Sequence, residues 1–157
     1  MAQGDFTLFE EVLNALDEID WDADTFKVSL VKDGGSDPTA ADSVPAYSGG
    51  TTNWNGASDE VDDGGNYTNG GATVASPTFV EAGGDATFDD DGSNVSWSSH
   101  ASNDTAARWA IMYDDTTTIK HAIGFIDLGT AFDMTTGDLT ITFAATGILK
   151  FEIQASV

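Results

Sequence analysis

The 157-residue chain has 27 acidic and 5 basic residues and a formal net charge of −22. Affinity for a nucleic-acid backbone comes from clustered lysine and arginine, so this balance excludes direct nucleic-acid binding. The chain has no cysteine for disulfides or thiolate metal sites, and no apolar run approaches the roughly 20 residues of a membrane helix.

The first predicted element is a short helix over about residues 7–17. A Thr-Leu-Phe-Glu sequence at its start has the form of a capping box. Phe9, Leu13 and Leu16 then fall on one stripe of that helix. Two interpretations stay open: the helix closes one end of this chain's own sheet, or it is an arm that packs on a neighbouring subunit. The candidate interface residues on this arm are Phe6, Phe9 and Leu13.

A strand is predicted over Thr25–Val31, and a Gly- and Asp-rich stretch without clear periodicity follows over about residues 33–71. A loop of this length is unusual in a compact domain, so it is either functional or takes its order from a partner. Its few apolar residues could anchor it on this domain or on another subunit. The candidate interface residues of the loop are Tyr47, Trp54 and Tyr67.

Two short strands are predicted around Ala86–Phe88 and Ser93–Trp97, with an acidic turn between them. Asp89, Asp90 and Asp91 form the best candidate metal loop, because hard cations such as Ca²⁺ bind several carboxylates on a turn. The spacing is not that of an EF-hand, and the alternative is a plain hairpin turn. We expect no other cofactor.

The last third of the chain is predicted to form four consecutive strands, of which the first two have the form of a hairpin. Apolar and polar residues alternate along the later two, which is typical of half-buried antiparallel strands. The four strands are Arg108–Tyr113, His121–Leu128, Leu139–Phe143 and Ile148–Val157.

The pattern as a whole predicts a mainly β fold with a single domain over residues 1–157. Short strands at intervals of about ten residues, separated by Gly and Asp turns, are typical of an antiparallel β-sandwich or jelly roll. A hydrophobic content of 40% is enough for one core in a chain of this length.

No constellation of catalytic residues stands out, and we expect that the protein is not an enzyme. No serine lies in a nucleophile elbow, and the glycines form no phosphate-binding loop with a lysine. His100 and His121 have neither zinc nor catalytic spacing. The tryptophans fit either a sugar-stacking platform or core packing, and they are Trp21, Trp54, Trp97 and Trp109.

Four segments together resemble a widespread group of small β-rich virion proteins encoded by tailed phages and their archaeal relatives. Members have a short N-terminal helix, a "DTFKVAL" strand, a "GYTxGG" turn, an "ARYAVLY" strand and a "GxxDxG" strand end. The similarity spans most of the chain but weakens between residues 36 and 61. The matching segments are Asp24–Leu30, Gly65–Ala72, Ala107–Asp114 and Ile123–Gly129.

The resemblance implies a capsid decoration or cement protein that stabilises the head of a tailed virus. The implied partners are the major capsid protein and further copies of the chain in a homotrimer, on the capsid surface of a virion assembled in the host cytoplasm. The alternative is a tail or fibre-associated protein for host attachment. The motifs are structural, so the resemblance carries over no catalytic residue.

The acidity itself indicates a salt-loving setting. Of the 27 acidic residues 21 are aspartates, and lysine is scarce. Such a charge destabilises a compact state at low salt, whereas molar salt shortens the Debye length to about 3 Å and screens the repulsion. We therefore expect a halophilic host, plausibly an archaeon, and the alternative is an ordinary acidic surface protein.

We predict that the protein unfolds or dissociates below roughly molar salt through charge repulsion. Melting temperature, and size exclusion with light scattering, should be measured in dilute buffer and in molar salt. A trimer in molar salt would favour a decoration protein, and a monomer in every condition would favour a tail component. A melting temperature that does not change with salt would contradict the prediction.

Overall fold

A computed structural model describes residues 4–90, 94–144 and 146–152. The described part is mainly β-strand, and most ladders are antiparallel, so this part of the prediction is confirmed. One 3₁₀ helix, Glu10–Asn14, follows the first strand. The strands are β1 Phe6–Leu8, β2 Phe26–Lys32, β3 Pro45–Ala46, β4 Thr52–Asn53, β5 Ala72–Thr73, β6 Thr78–Ala82, β7 Asp85–Asp89, β8 Val95–Trp97, β9 Ala107–Asp114, β10 Ala122–Phe132, β11 Leu139–Ile141 and β12 Leu149–Glu152.

The strands form one large sheet and three small ones. The large sheet has five strands in the order β1-β10-β9-β2-β5, with β9 at its centre. Ile111 in β9 pairs with Phe125 in β10 on one side and with Ser29 in β2 on the other. The small sheets are β12-β7-β6, β11-β8 and the parallel pair β3-β4.

The predicted strands of the last third are present as β9 to β12. The hairpin between the first two is confirmed, because β9 and β10 pair antiparallel. The remaining two do not pair with each other: β11 pairs with β8, and β12 pairs with β7. The last five residues of the predicted final strand lie outside the described residues.

A hairpin between β7 and β8 was expected, and this is wrong. β7 pairs with β6 across the turn at Gly83 and Gly84, and its other edge pairs with β12. Because both edges of β7 are occupied, β8 lies in another sheet.

The predicted helix over residues 7–17 is also wrong. Thr7, expected at the helix start, pairs with Phe125 as part of β1. This strand can approach β10 closely because residue 124 is glycine, and a Cβ there would lie 2.6 Å from the Thr7 carbonyl oxygen. The 3₁₀ segment that remains buries Val12, and the residues that flank it, Phe9 and Ala15, are also buried.

The central sheet is buried on both faces. Along β9, Ala110 and Met112 belong to one hydrophobic cluster, whereas Trp109, Ile111 and Tyr113 belong to another. Because successive side chains of a strand point to opposite faces, the two clusters lie on opposite sides of the sheet. The sheet therefore needs a covering layer on each side.

The first face is covered mainly by the smaller sheets. The rings of Phe26 in β2 and Phe88 in β7 have their centroids 4.7 Å apart, and Trp21 contacts both. The other buried side chains that the small sheets add to this cluster are Val95, Trp97, Leu139 and Ile141.

The second face is covered by irregular segments. Phe9 lies 5.4 Å from Trp54 and 5.0 Å from Phe125, measured between ring centroids. Tyr47 stacks on Tyr113 at 4.5 Å. The N-terminal segment and the 33–71 loop thus pack on this chain's own sheet, and other buried residues of theirs join the cluster of the first face: Val12, Ala15, Val61 and Tyr67.

Gly71 gives a direct test of how closely the loop end approaches β2. Its φ is +71°, and a Cβ would lie 1.8 Å from the Val28 carbonyl oxygen. We expect Gly71→Ala to lower the free energy of unfolding by about 3–5 kcal/mol, through backbone strain and the clash together.

Gly34 is the matched control, because its φ is +85° and nothing lies within 4 Å of its Cβ position. Gly34→Ala should cost about 1–2 kcal/mol, from backbone strain alone. Denaturant unfolding of both variants measures the difference. Equal losses would show that the close approach at residue 71 does not exist.

Candidate functional site

The N-terminal segment presents apolar side chains to solvent. Leu13 is 59% exposed and Leu16 is 39% exposed. Both are on or next to the 3₁₀ helix, whose other side buries Val12 and Ala15. Exposed apolar side chains on one segment are candidates for a contact with another protein.

A cavity of about 200 Å³ lies on the other side of this segment. Part of its lining is apolar, including Val12, Val44 and Ile119, and acidic side chains are also present. His121 Nε2 lies 2.9 Å from Glu18 Oε2 at the cavity wall. The exposed side chains of Leu13 and Leu16 are called the N-terminal surface below.

A buried carboxylate holds the 33–71 loop on the central sheet. Glu60 is buried, and its Oε1 accepts hydrogen bonds from the Tyr67 hydroxyl at 2.9 Å and the Gly70 amide at 2.6 Å. Its Oε2 accepts a bond from the Tyr47 hydroxyl at 2.9 Å. Three donors therefore compensate the desolvation of this carboxylate.

The same network joins the loop to β2 and β9. The Tyr67 hydroxyl accepts the Leu30 amide at 3.0 Å, and the Tyr113 hydroxyl donates to the Gly70 carbonyl at 2.8 Å. Burial raises the pKa of Tyr47, Tyr67 and Tyr113 well above the ordinary value, and the Glu60 charge raises it further. The three hydroxyls therefore remain protonated and can donate.

A second buried acid lies at the end of β9. Asp114 is 0% exposed, and its Oδ1 accepts the Thr116 amide at 2.7 Å. Its Oδ2 is buried and has no hydrogen-bond donor. The carboxyl group contacts that of Asp24, which precedes β2. Burial raises the pKa of Asp114, and the adjacent Asp24 charge raises it further.

The basic side chains are all engaged with carboxylates. Lys27 and Lys120 both contact Asp115, and Arg108 contacts Asp127. Lys32 pairs with Asp62, and Lys150 pairs with Asp85 and Glu152. The structure thus assembles no basic patch from these five residues.

The predicted interface residues fall into two groups. Phe9, Trp54 and Tyr67 are buried in this chain's own core. Phe6 and Tyr47 are partly buried, and Leu13 is exposed. The anchors of the loop therefore lie on this domain, and Leu13 is the member of the set that is most accessible. Contact of any of the six with another subunit stays a prediction.

The predicted metal loop is described in part. Asp89 ends β7, and its Oδ1 accepts the Asp90 amide at 2.9 Å, while Asp91 lies outside the described residues. Within the described ranges, no group of three or more His, Asp or Glu side chains is arranged to hold a metal ion. Calcium binding at Asp89–Asp91 stays a prediction.

The tryptophans belong to the core. All four indoles are buried, with exposures between 1% and 8%, so they form no exposed sugar-stacking platform. Among the described residues, no helix has the length and apolarity needed to cross a bilayer. No protein-family model, curated protein or solved structure matches the chain.

Glu60, Asp114 and Leu16 were not among the site residues predicted from the sequence. Glu60 is the one glutamate between residues 19 and 80, in a stretch whose other acids are aspartates, and this was the available signal. Asp114 stands in a row of turn formers, and nothing in the sequence marks it as buried.

The Asp24–Asp114 contact makes stability depend on pH. Because the pKa of Asp114 is raised in the folded state, folding binds a proton, and stability falls as pH rises from the ordinary carboxyl range through the raised value. Asp114→Asn removes the carboxyl group whose pKa is raised, and its side-chain amide can donate to Asp24. We expect the free energy of unfolding of this variant, relative to that of the wild-type protein, to increase from pH 3.5 to pH 7. A chelator is present in both cases to remove divalent cations.

Urea unfolding at several pH values measures this difference. Asp63→Asn is the control, because it removes one charge from an exposed position. The other charges near the pair are Asp20, Asp115, Lys27 and Lys120, and these are the same in both variants. Parallel pH profiles for the two variants would contradict the prediction.

Proposed function

We propose that the protein is a structural virion protein: a capsid decoration, or cement, protein that stabilises the head of a tailed virus with a halophilic host. The observation that carries the proposal is the N-terminal surface, where exposed leucines lie on a chain of net charge −22. Covering these side chains with another protein would remove apolar surface from water, which favours a contact at this place.

The four segments that resemble small β-rich virion proteins lie together in the structure, and this supports the proposed function. Asp24–Leu30 leads into β2, Ala107–Asp114 is β9 and Ile123–Gly129 lies within β10. Gly65–Ala72 includes the Tyr67 and Gly70 contacts to Glu60 and ends at β5. The segments thus lie on adjacent strands of one sheet and on the loop end attached to it, which is consistent with a shared structural module.

The proposal includes an antiparallel sandwich of the jelly-roll type. One layer is the five-stranded sheet, and the facing layer is made of the smaller sheets. The Phe26–Phe88 contact and the hydrophobic cluster shared by β2, β7, β8 and β11 support this arrangement.

The proposed partners are the major capsid protein and further copies of this chain in a homotrimer. We assign the N-terminal surface to the contact with the shell, because its leucines are exposed apolar side chains that a partner would bury. Neither nucleic acid nor membrane takes part, and no catalysis is assigned. The protein would act on the outside of the capsid.

The location on the particle can be tested by immunoelectron microscopy of tailed virions that carry the gene. Antibodies against the protein should label the head surface. Labelling confined to the tail would favour the attachment alternative, and absence from the particle would overturn the proposal.

The surface itself can be tested by rebinding to virions stripped of the protein in dilute buffer. In molar salt, Leu13→Asp should rebind about tenfold more weakly or worse, because a buried leucine contributes about 1.5–3 kcal/mol. Val80→Asp is the control, since Val80 is 56% exposed and lies on β6. Equal rebinding of both variants would remove the N-terminal surface from the contact.

A further inference from the structure

We propose that Asp24 and Asp114 together bind one hydrated divalent cation of the Mg²⁺ or Ca²⁺ type. The site lies where Asp24 enters β2 and where Asp114 ends β9. It is separate from the Asp89–Asp91 loop and from the N-terminal surface.

One carboxylate oxygen of Asp114 is buried without a hydrogen-bond partner. The residue is fully buried, and the one amide that reaches its carboxyl group, from Thr116, is bound by Oδ1. Oδ2 is shielded from water and has no donor. An ionised carboxylate oxygen that is buried without a partner is unfavourable, so the position favours a positively charged ligand.

The side chain that contacts the Asp114 carboxyl group is also acidic. The Asp24 carboxyl group contacts that of Asp114, and its Oδ2 accepts the Asp20 amide at 2.7 Å. Two adjacent carboxylates repel each other when both are ionised. A cation that both groups bind replaces this repulsion with attraction.

The nearby basic side chains form ion pairs with acidic residues other than Asp24 and Asp114. Lys27 and Lys120 both contact Asp115, which follows Asp114 in the chain. His121 faces Glu18. On the loop before β2, Asp20 and Asp22 add further negative charge. The pair therefore has no compensating cation from these side chains, although the region is strongly negative.

The chemistry of the oxygens selects the ligand class. Carboxylates are hard ligands, and Mg²⁺ is commonly held by one or two of them while it keeps several waters. Asp24 is partly exposed, so water can complete the coordination from that side.

The proposal can be tested with MgCl₂ and CaCl₂ titrations at pH 7.5 and fixed ionic strength. Calorimetry and melting temperature should both show a saturable effect on the wild-type protein. Asp114→Asn should weaken the affinity at least tenfold, because it removes one of the two charged ligands. Asp24→Asn, at a more exposed position, should do the same and serves if the first variant does not fold.

Asp63→Asn is the matched control, since it removes the same charge from an exposed site and should leave the affinity unchanged. Equal affinity of all variants would overturn the proposal, because the ions would then be a diffuse atmosphere around an acidic chain. The absence of any saturable response in the wild type would also overturn it. In that case a proton shared between the two carboxyl groups would explain their contact.

Discussion

The fold depends on covering a central sheet that is apolar on both faces. Strands usually supply such a cover, and the small sheets do so on the first face. On the second face the cover is irregular chain, whose polar groups must still find partners when buried. Glu60 solves this problem for the loop at one point, because it accepts hydrogen bonds from Tyr47, which packs on the second face, from Tyr67, which packs in the cluster of the first face, and from the Gly70 amide. The indole of Trp54 adds a bond to the Ser36 carbonyl at 2.9 Å.

The charge of the chain acts against this compact arrangement. The five basic residues are all paired with acids, and most acidic side chains have no such partner to offset their repulsion. Besides the exposed Val80 and the unpartnered Ser29 hydroxyl, two places show burial or charge that the described chain does not balance. Leu13 and Leu16 expose apolar surface, and Asp114 buries an oxygen without a donor. Both are consistent with a molecule completed by its surroundings, by a protein partner in one case and by a cation in the other.

The sequence predicts those parts of the fold that depend on local patterns. Strands β9 and β10 were predictable because alternation and a cluster of turn formers are local signals. The N-terminal segment was not, since a capping box competes with pairing to β10, and that pairing depends on Gly124, more than a hundred residues away. Leu13 was predicted as an interface residue on a helix that the structure does not contain, and its contact with a partner stays a prediction. Glu60 could not be assigned a role, because its partners meet only when an aperiodic loop folds on the sheet.

Hydrogen exchange of the free protein, followed by mass spectrometry, tests the account most directly. Glu60→Ala leaves the tyrosine hydroxyls and the Gly70 amide without their acceptor, whereas β9 and β10 keep their own ladder. The account predicts slow exchange over residues 54–71 in the wild-type protein and fast exchange there in the variant, with β9 protected in both. Fast exchange of this segment in the wild-type protein, equal to that in the variant, would contradict the claim that the loop is a layer of the folded chain.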